Sequence, residues 1–417
     1  MQRDNKIYSF DTLIFLLLFG LLPIDMINGF LIRDVQLNTV ITISQLYKII
    51  LLTLFFIRIS NTEKIIVLSI FFLLLLPSFV QTVKSFNLKL IFVDAVKVTK
   101  YVASFMAFLY FRRIFINKGY LLTRVYRWIL FSFIVLVINI FLKLLGVGFP
   151  MYSYGTFEIG SKGFFYAGNE VSAVLLILSS FLMFWYQLYN KKIFFLIISL
   201  LAIFTGLYIT SKTAILATIF TFIYLFIFNP NGKRMSIKSA VYFLCTVLII
   251  LPFGIYFIIK YLKTSDVMLR ASHFWEQLDI YTFIFSNRNI FLFDFIEIFK
   301  KEYNVIEMII GVGQSTFERL NNNHIIELDF FDIYFAYGII GILLFLFYIF
   351  FILIKSKLRS MNRDIFIFSL YTKYIAVFLI LLSFFSGHIF NSGMASIYIG
   401  CVFSLMYYNA KYENKLS

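Results

Sequence analysis

The chain has 417 residues, of which 61% are hydrophobic, 21% aromatic and only 14% charged, and its formal net charge is +16. A soluble domain carries about 25% charged and about 45–50% apolar residues, so a water-soluble globular fold is excluded and a polytopic membrane protein is indicated. The two cysteines, Cys245 and Cys401, both lie in apolar runs, which leaves neither a disulfide framework nor a cysteine metal site.

In chain order, residues 1–6 are charged, and the first apolar run continues past Pro23 with no small-residue cleavage pattern. It reads as a retained span rather than a signal peptide. Runs long enough to cross a bilayer, about 20 residues each, fall at 12–32, 38–57, 64–82, 90–111, 128–148, 168–189, 193–210, 212–228, 240–260, 330–354, 366–386 and 388–408. The expected fold class is therefore an all-α polytopic membrane protein of about twelve transmembrane helices with one large extracytoplasmic loop. It divides into a bundle over 1–260, a loop with interfacial helices over 261–329, and a second bundle over 330–417. With the N-terminus in the cytoplasm, the inner segments carry twenty Lys and Arg. The short outer loops carry five, namely Arg33, Lys84, Lys89, Lys162 and Lys212. That asymmetry obeys the positive-inside rule and places both termini inside. It also accounts for the net charge through orientation and anionic lipid, without nucleic acid.

Ionisable residues inside spans are costly and invite functional readings. Asp94 and Lys97 are three apart on one helical face, which fits either mutual pairing or, with Lys100, the lining of a polar cavity. Lys143 and Lys373 lie near span ends and can snorkel. In the connection over 148–167, Lys162 stands among glycines and aromatics that suit a sugar-stacking or headgroup lip, or equally an ordinary re-entrant turn. Thr210-Ser211-Lys212 must be a tight outer turn. Ser211 can cap the following helix, and a lysine beside a helix N-terminus is either an anion site or a snorkelling side chain. His388, in Ser386-Gly387-His388, fits helix-end packing or site lining.

The 261–329 loop holds six Lys/Arg against ten Asp/Glu, so a cation there must be individually placed. Its 290–299 stretch is too short to span and reads as an interfacial helix. Arg288 offers a guanidinium fork suited to phosphate, or a salt bridge to Asp294 or Glu297. Gly311-Val312-Gly313 follows no strand, which rejects a dinucleotide site and leaves close backbone approach to a ligand or a helix. If 324–335 is helical, His324 and Glu327 share a face, and the carboxylate can hold the imidazole as a general base; a solvated polar helix start is the alternative. Three histidines with no close pair give no metal site. Gly338-Ile339-Ile340-Gly341 fits close helix packing.

Taken in order, Ala167-Gly168-Asn169-Glu170, Thr210-Ser211-Lys212, Ser286-Asn287-Arg288, Gly311-Val312-Gly313, then His324 with the run to Asp332 and Gly338–Gly341, resemble the O-antigen polymerase and O-antigen ligase superfamily, the Wzy-type polymerases and their ligase relatives. The resemblance implies a C-type glycosyltransferase-like fold in the cytoplasmic membrane that joins polyprenyl-diphosphate-linked oligosaccharide repeat units at its outer face, without metal or cofactor. On that analogy Arg288 and Lys212 grip the donor diphosphate and His324, held by Glu327, activates the acceptor hydroxyl, while Asn169, Asp329, Lys162 and His388 contact substrate. Relatives often carry Arg where this chain has Lys212. A chain-length regulator and a flippase are implied partners. The acidic-aromatic run at 327–332 looks more like polymerases than ligases. A transporter using Asp94, Lys97, Lys100 and Lys373 is the competing class, although no repeat halves are evident; a non-enzymatic scaffold in an export assembly is a third.

Overall fold

A computed structural model describes residues 2–36, 41–154, 157–227, 282, 285–322, 324–360 and 366–408. The expected ninth span at 240–260 and the loop residues 261–281 lie outside the described residues. The rest is helical. In order come α1 (Gln2–Phe19), α2 (Leu21–Arg33), α3 (Ile43–Arg58), α4 (Asn61–Ser85), α5 (Lys89–Asn117), α6 (Leu122–Phe141), α7 (Gly168–Leu188), α8 (Lys192–Ile209) and α9 (Lys212–Ile227). After the gap follow α10 (Arg288–Glu302), α11 (Val305–Ile310), α12 (Gln314–Leu320), α13 (Asp329–Arg359), α14 (Phe366–Ser386) and α15 (Ser396–Ser404). Between α6 and α7 a short hairpin pairs β1 (Tyr152–Tyr154) with β2 (Phe157–Ile159). The expected re-entrant or lip segment is thus a small hairpin.

Six described helices are long and apolar enough to cross a membrane, or seven if α1 and α2, bent by 44°, are one span. The bend has a local cause. Pro23 lacks an N–H and its ring would strike the carbonyl four residues back, so the helix breaks at Gly20 and restarts with proline in its first turn. The expected span over 388–408 is shorter than anticipated: its helix begins only at Ser396, because turns occupy the residues before it.

α7 is the hub. Its apolar window is 89% buried, whereas that of α4 is 33% buried and leaves Ile65, Phe72 and Phe79 exposed on a face suited to lipid. In lipid, helices associate by close packing rather than by the hydrophobic effect. Gly400 shows this: a Cβ there would lie 2.4 Å from the Ser104 carbonyl oxygen, so only glycine lets α15 lie against α5.

Helix ends sort onto two faces. One carries the ends near 58–61, 117–122, 188–192 and 359–366, and is basic. There Asp11 holds Arg58 at 2.9 Å and Lys118 at 2.6 Å, and Glu63 holds Arg112 at 2.5 Å. The other face gathers the α2–α3, α6–α7 and α8–α9 connections, α10–α12 and residues 386–396. α12 is fastened there by α5. Asp94 accepts from the Ser315 N–H at 2.8 Å and from Ser78 Oγ at 2.5 Å, while Lys97 pairs with Glu318 at 2.6 Å. Asp94 and Lys97 therefore do not neutralise each other, since each has a better-placed partner on another segment.

Candidate functional site

Three turns bring the polar residues together. α8 ends on Thr210 in a left-handed conformation (φ +61), and α9 begins two residues later at Lys212. Ser211 accepts from the Ala214 N–H at 3.5 Å and from Ser172 Oγ at 3.1 Å, which caps α9 and ties it to the first turns of α7. Ser286 and Asn287, both left-handed, turn the chain into α10, and Lys212 Nζ donates to Ser286 Oγ at 3.4 Å. Lys212 is thereby carried to within two residues of Arg288.

The centre of the cluster is Glu327. Its Oε2 accepts from Arg288 Nη2 at 2.8 Å, Arg288 Nε at 3.2 Å and Asn169 Nδ2 at 2.9 Å. Its Oε1 lies 4.0 Å from His388 Nε2, and His388 Nδ1 is 3.2 Å from Asn391 Oδ1. Arg288 Nη1 also donates to the Phe385 carbonyl at 3.2 Å. Among the described residues three of the five guanidinium N–H donors are thus engaged, and one on each terminal nitrogen is not. The Arg288 side chain is 11% exposed and that of Glu327 is 37% exposed, so the pair is half screened by protein. The salt bridge goes to Glu327 rather than to Asp294 or Glu297 of the same helix.

Glu327 itself sits at φ +65, a costly conformation for a residue with a Cβ. It is held by a backbone contact: a Cβ on Gly387 would lie 1.8 Å from the Glu327 carbonyl oxygen. Only glycine allows the 327 and 387 strands of chain to touch. Below them the aspartates act as backbone anchors. Asp332 accepts from the N–H groups of Ile326 (3.0 Å) and Leu328 (3.1 Å), and Asp329 from those of Ile389 (3.0 Å) and Phe390 (3.1 Å). Asp329 is 0% exposed. Its geometry suits positioning of the 388–390 turn rather than the expected contact with substrate.

The expected helix over 324–335 starts late, at Asp329, because Asp332 captures the amides of 326 and 328 on either side of Glu327. His324 therefore does not share a helical face with Glu327. It is exposed, its imidazole makes no hydrogen bond among the described residues, and only its backbone joins Asn321. The imidazole beside Glu327 belongs to His388.

Lys162 is buried at the edge of this face, against the Gly168 end of α7. Burial first, and the nearby Arg33 second, pull its ammonium down to about 8. Glu170, next to Asn169, accepts from Ser392 Oγ at 2.9 Å and the Met394 N–H at 3.0 Å. Asn391 and Ser392 do not stand out in the sequence, and Gly387 does so only beside His388. The signal was present in Ser386-Gly387-His388, at the junction of the expected spans 366–386 and 388–408, and in Asn391-Ser392-Gly393 within the latter, two turn-forming clusters. Gly311 and Gly313, by contrast, serve packing: Gly313 donates to the Ala336 carbonyl at 2.8 Å, and Gly311 abuts the non-helical break in α13 at Gly338.

A multi-pass helical membrane protein with an arginine, a lysine, an imidazole and a carboxylate gathered at one face of its bundle is the class these features define. Residues 271–413, which contain Arg288, Glu327 and His388, match the family described as O-antigen ligase like membrane protein, and this supports membership of the O-antigen ligase-like superfamily. That family implies a membrane enzyme of the glycosyltransferase type. No curated protein matches the chain.

Proposed function

We propose that the protein is a polysaccharide polymerase that joins polyprenyl-diphosphate-linked oligosaccharide repeat units at the outer face of the cytoplasmic membrane. The observation that carries this reading is the convergence of Arg288, Lys212, Glu327 and His388 on one face, within the stretch that matches the family and the turn beside it. The opposite face bears the arginine and lysine clusters, so the positive-inside rule puts the site outward, away from nucleotide sugars. The large outer loop is the 261–329 segment, of which α10, α11 and α12 are part, and the bundle is of the C-type glycosyltransferase kind.

The donor diphosphate lies against the two open N–H groups of Arg288 and the Lys212 ammonium at the α9 N-terminus, where partial positive charge adds to the side chain. Charge compensation makes the diphosphate a good leaving group. The acceptor hydroxyl oxygen bonds to the anomeric carbon. The carbon–oxygen bond to the diphosphate breaks with its electron pair going to phosphate, and the hydroxyl proton passes to an imidazole. His388, oriented by Glu327 and Asn391, is the imidazole closest to the Arg288–Glu327 pair; His324 stands at the rim.

Purified protein in nanodiscs, given only lipid-linked repeat units and no gradient, is expected to produce longer lipid-linked glycan. Arg288→Ala and His388→Ala abolish elongation with insertion unchanged, and His324→Ala retains it. Elongation by both Arg288→Ala and His388→Ala refutes the site. Cells without the chain are expected to accumulate single lipid-linked repeats. Full-length undelivered polymer would make the protein a ligase, and gradient-driven movement of glycan without elongation would make it a transporter.

A further inference from the structure

Beside the Arg288–Glu327 centre, and separated from it by the 388–394 turn, a cavity of 330 Å³ opens among α2, α3, α5 and the first turns of α7 and α15. That is near the lower end of the range of about 300–1,000 Å³ for small-molecule sites. Four charged side chains line it: Asp25, Lys48, Lys100 and Glu170. Asp25 Oδ1 is paired with Lys48 at 2.6 Å and accepts from Ser44 Oγ. Asp25 is only 6% exposed, and its Oδ2, itself shielded from solvent, has no hydrogen-bond partner among the described residues. Lys100, half buried, has no hydrogen bond or ion pair among the described residues. Glu170 uses Oε2 for Ser392 and Met394, and its Oε1 is unengaged among them. Lys100 and Glu170 thus share a cavity without pairing. Tyr166, an exposed residue with the Arg33 guanidinium over its ring, also lines the cavity.

We propose that this cavity binds the acceptor glycan through one or more uncharged sugar rings. The four charges sum to zero, which disfavours a phosphate or a metal ion and favours a neutral polyol. An unused acceptor at Glu170 and an unused donor at Lys100 match hydroxyl groups, which both donate and accept. Tyr166 offers a flat apolar face. Asn169 touches Glu327 while Glu170 lines the cavity, so adjacent residues of one helix would fix the acceptor next to the donor. The acceptor role rests on the transfer reading above; the sugar site itself does not.

Gly393 provides the test. Gly393 lines the cavity, and a Cβ there would meet only the ends of Lys100 and Lys48, each at 3.9 Å, so a side chain can start there without a close contact. The probe is the free oligosaccharide released by mild acid from the cells' own lipid-linked repeat units, titrated onto the full chain in nanodiscs. Wild type binds it, Gly393→Leu and Lys100→Gln weaken binding about tenfold or more, the change expected for a lost charged hydrogen bond, and Gly393→Ala binds nearly as wild type. Binding of sugar-free polyprenyl diphosphate stays unchanged in all of them. Undiminished oligosaccharide binding by both Gly393→Leu and Lys100→Gln, or no binding by wild type, overturns the site. Oligosaccharide binding without any glycan transfer overturns the acceptor role and leaves the sugar site standing.

Discussion

Replacing Glu327 separates its charge from its shape. In Glu327→Gln the amide oxygen can take the place of Oε2 and still accept from Arg288 and Asn169, while the amide nitrogen turns toward His388. Those bonds remain charge-assisted through the guanidinium, so the loss is expected to be about 1 kcal/mol or less. In Glu327→Ala, Arg288 keeps only the Phe385 carbonyl at 3.2 Å. Breaking a fully buried pair costs about 3–5 kcal/mol. Because the Glu327 side chain is 37% exposed, water can partly resolvate the arginine, and about 2 kcal/mol is expected. Adding Arg288→Met to Glu327→Ala removes the stranded charge and should recover at least about 1 kcal/mol as a coupling energy. The measurement is reversible unfolding in mixed micelles by titration with a denaturing detergent, followed by tryptophan fluorescence. If Ala and Gln at 327 cost the same, and the double variant is additive, the Arg288–Glu327 contact contributes nothing and the reasoning fails.

The 8–10.5 pH window tests Lys162. Its folded pKa of about 8 lies below the ordinary 10.5, so the unfolded chain holds more protons between these values and stability rises with pH across them. The gain is at most about 3 kcal/mol, and Lys162→Met should flatten it; an unchanged pH profile in that variant would assign the rise elsewhere. Gly338→Ala forces a Cβ into a left-handed position (φ +62) and to 2.4 Å from the Ile309 carbonyl oxygen. It should cost about 2 kcal/mol or more, read as lower yield and melting temperature, and normal values would mean that α13 straightens freely. Asp94→Ala strips the Ser315 amide of its acceptor, a loss of about 1 kcal/mol, and should speed proteolysis around α12. Cleavage at the wild-type rate would show that Asp94 does not hold α12.

Composition and hydropathy were enough for the class, because a helix in lipid must satisfy its own backbone and so writes its length into an apolar run. The charge asymmetry predicts an orientation by the same local logic. Turns were legible where the residue types compel them, as at Thr210-Ser211-Lys212, and Arg288 stood out as an isolated cation in an acidic stretch. What the sequence could not settle was partnership across distance. Asp94 and Lys97, neighbours on one helix, part to hold α12; His324, three residues before Glu327, yields its place beside it to His388, 61 residues beyond Glu327. Hydrogen-bond geometry decides such pairings, and it depends on backbone paths fixed by contacts such as Gly387 against Glu327 that no local pattern encodes. The late start of α13 has the same origin, since Asp332 draws the amides of 326 and 328 away from a helical turn.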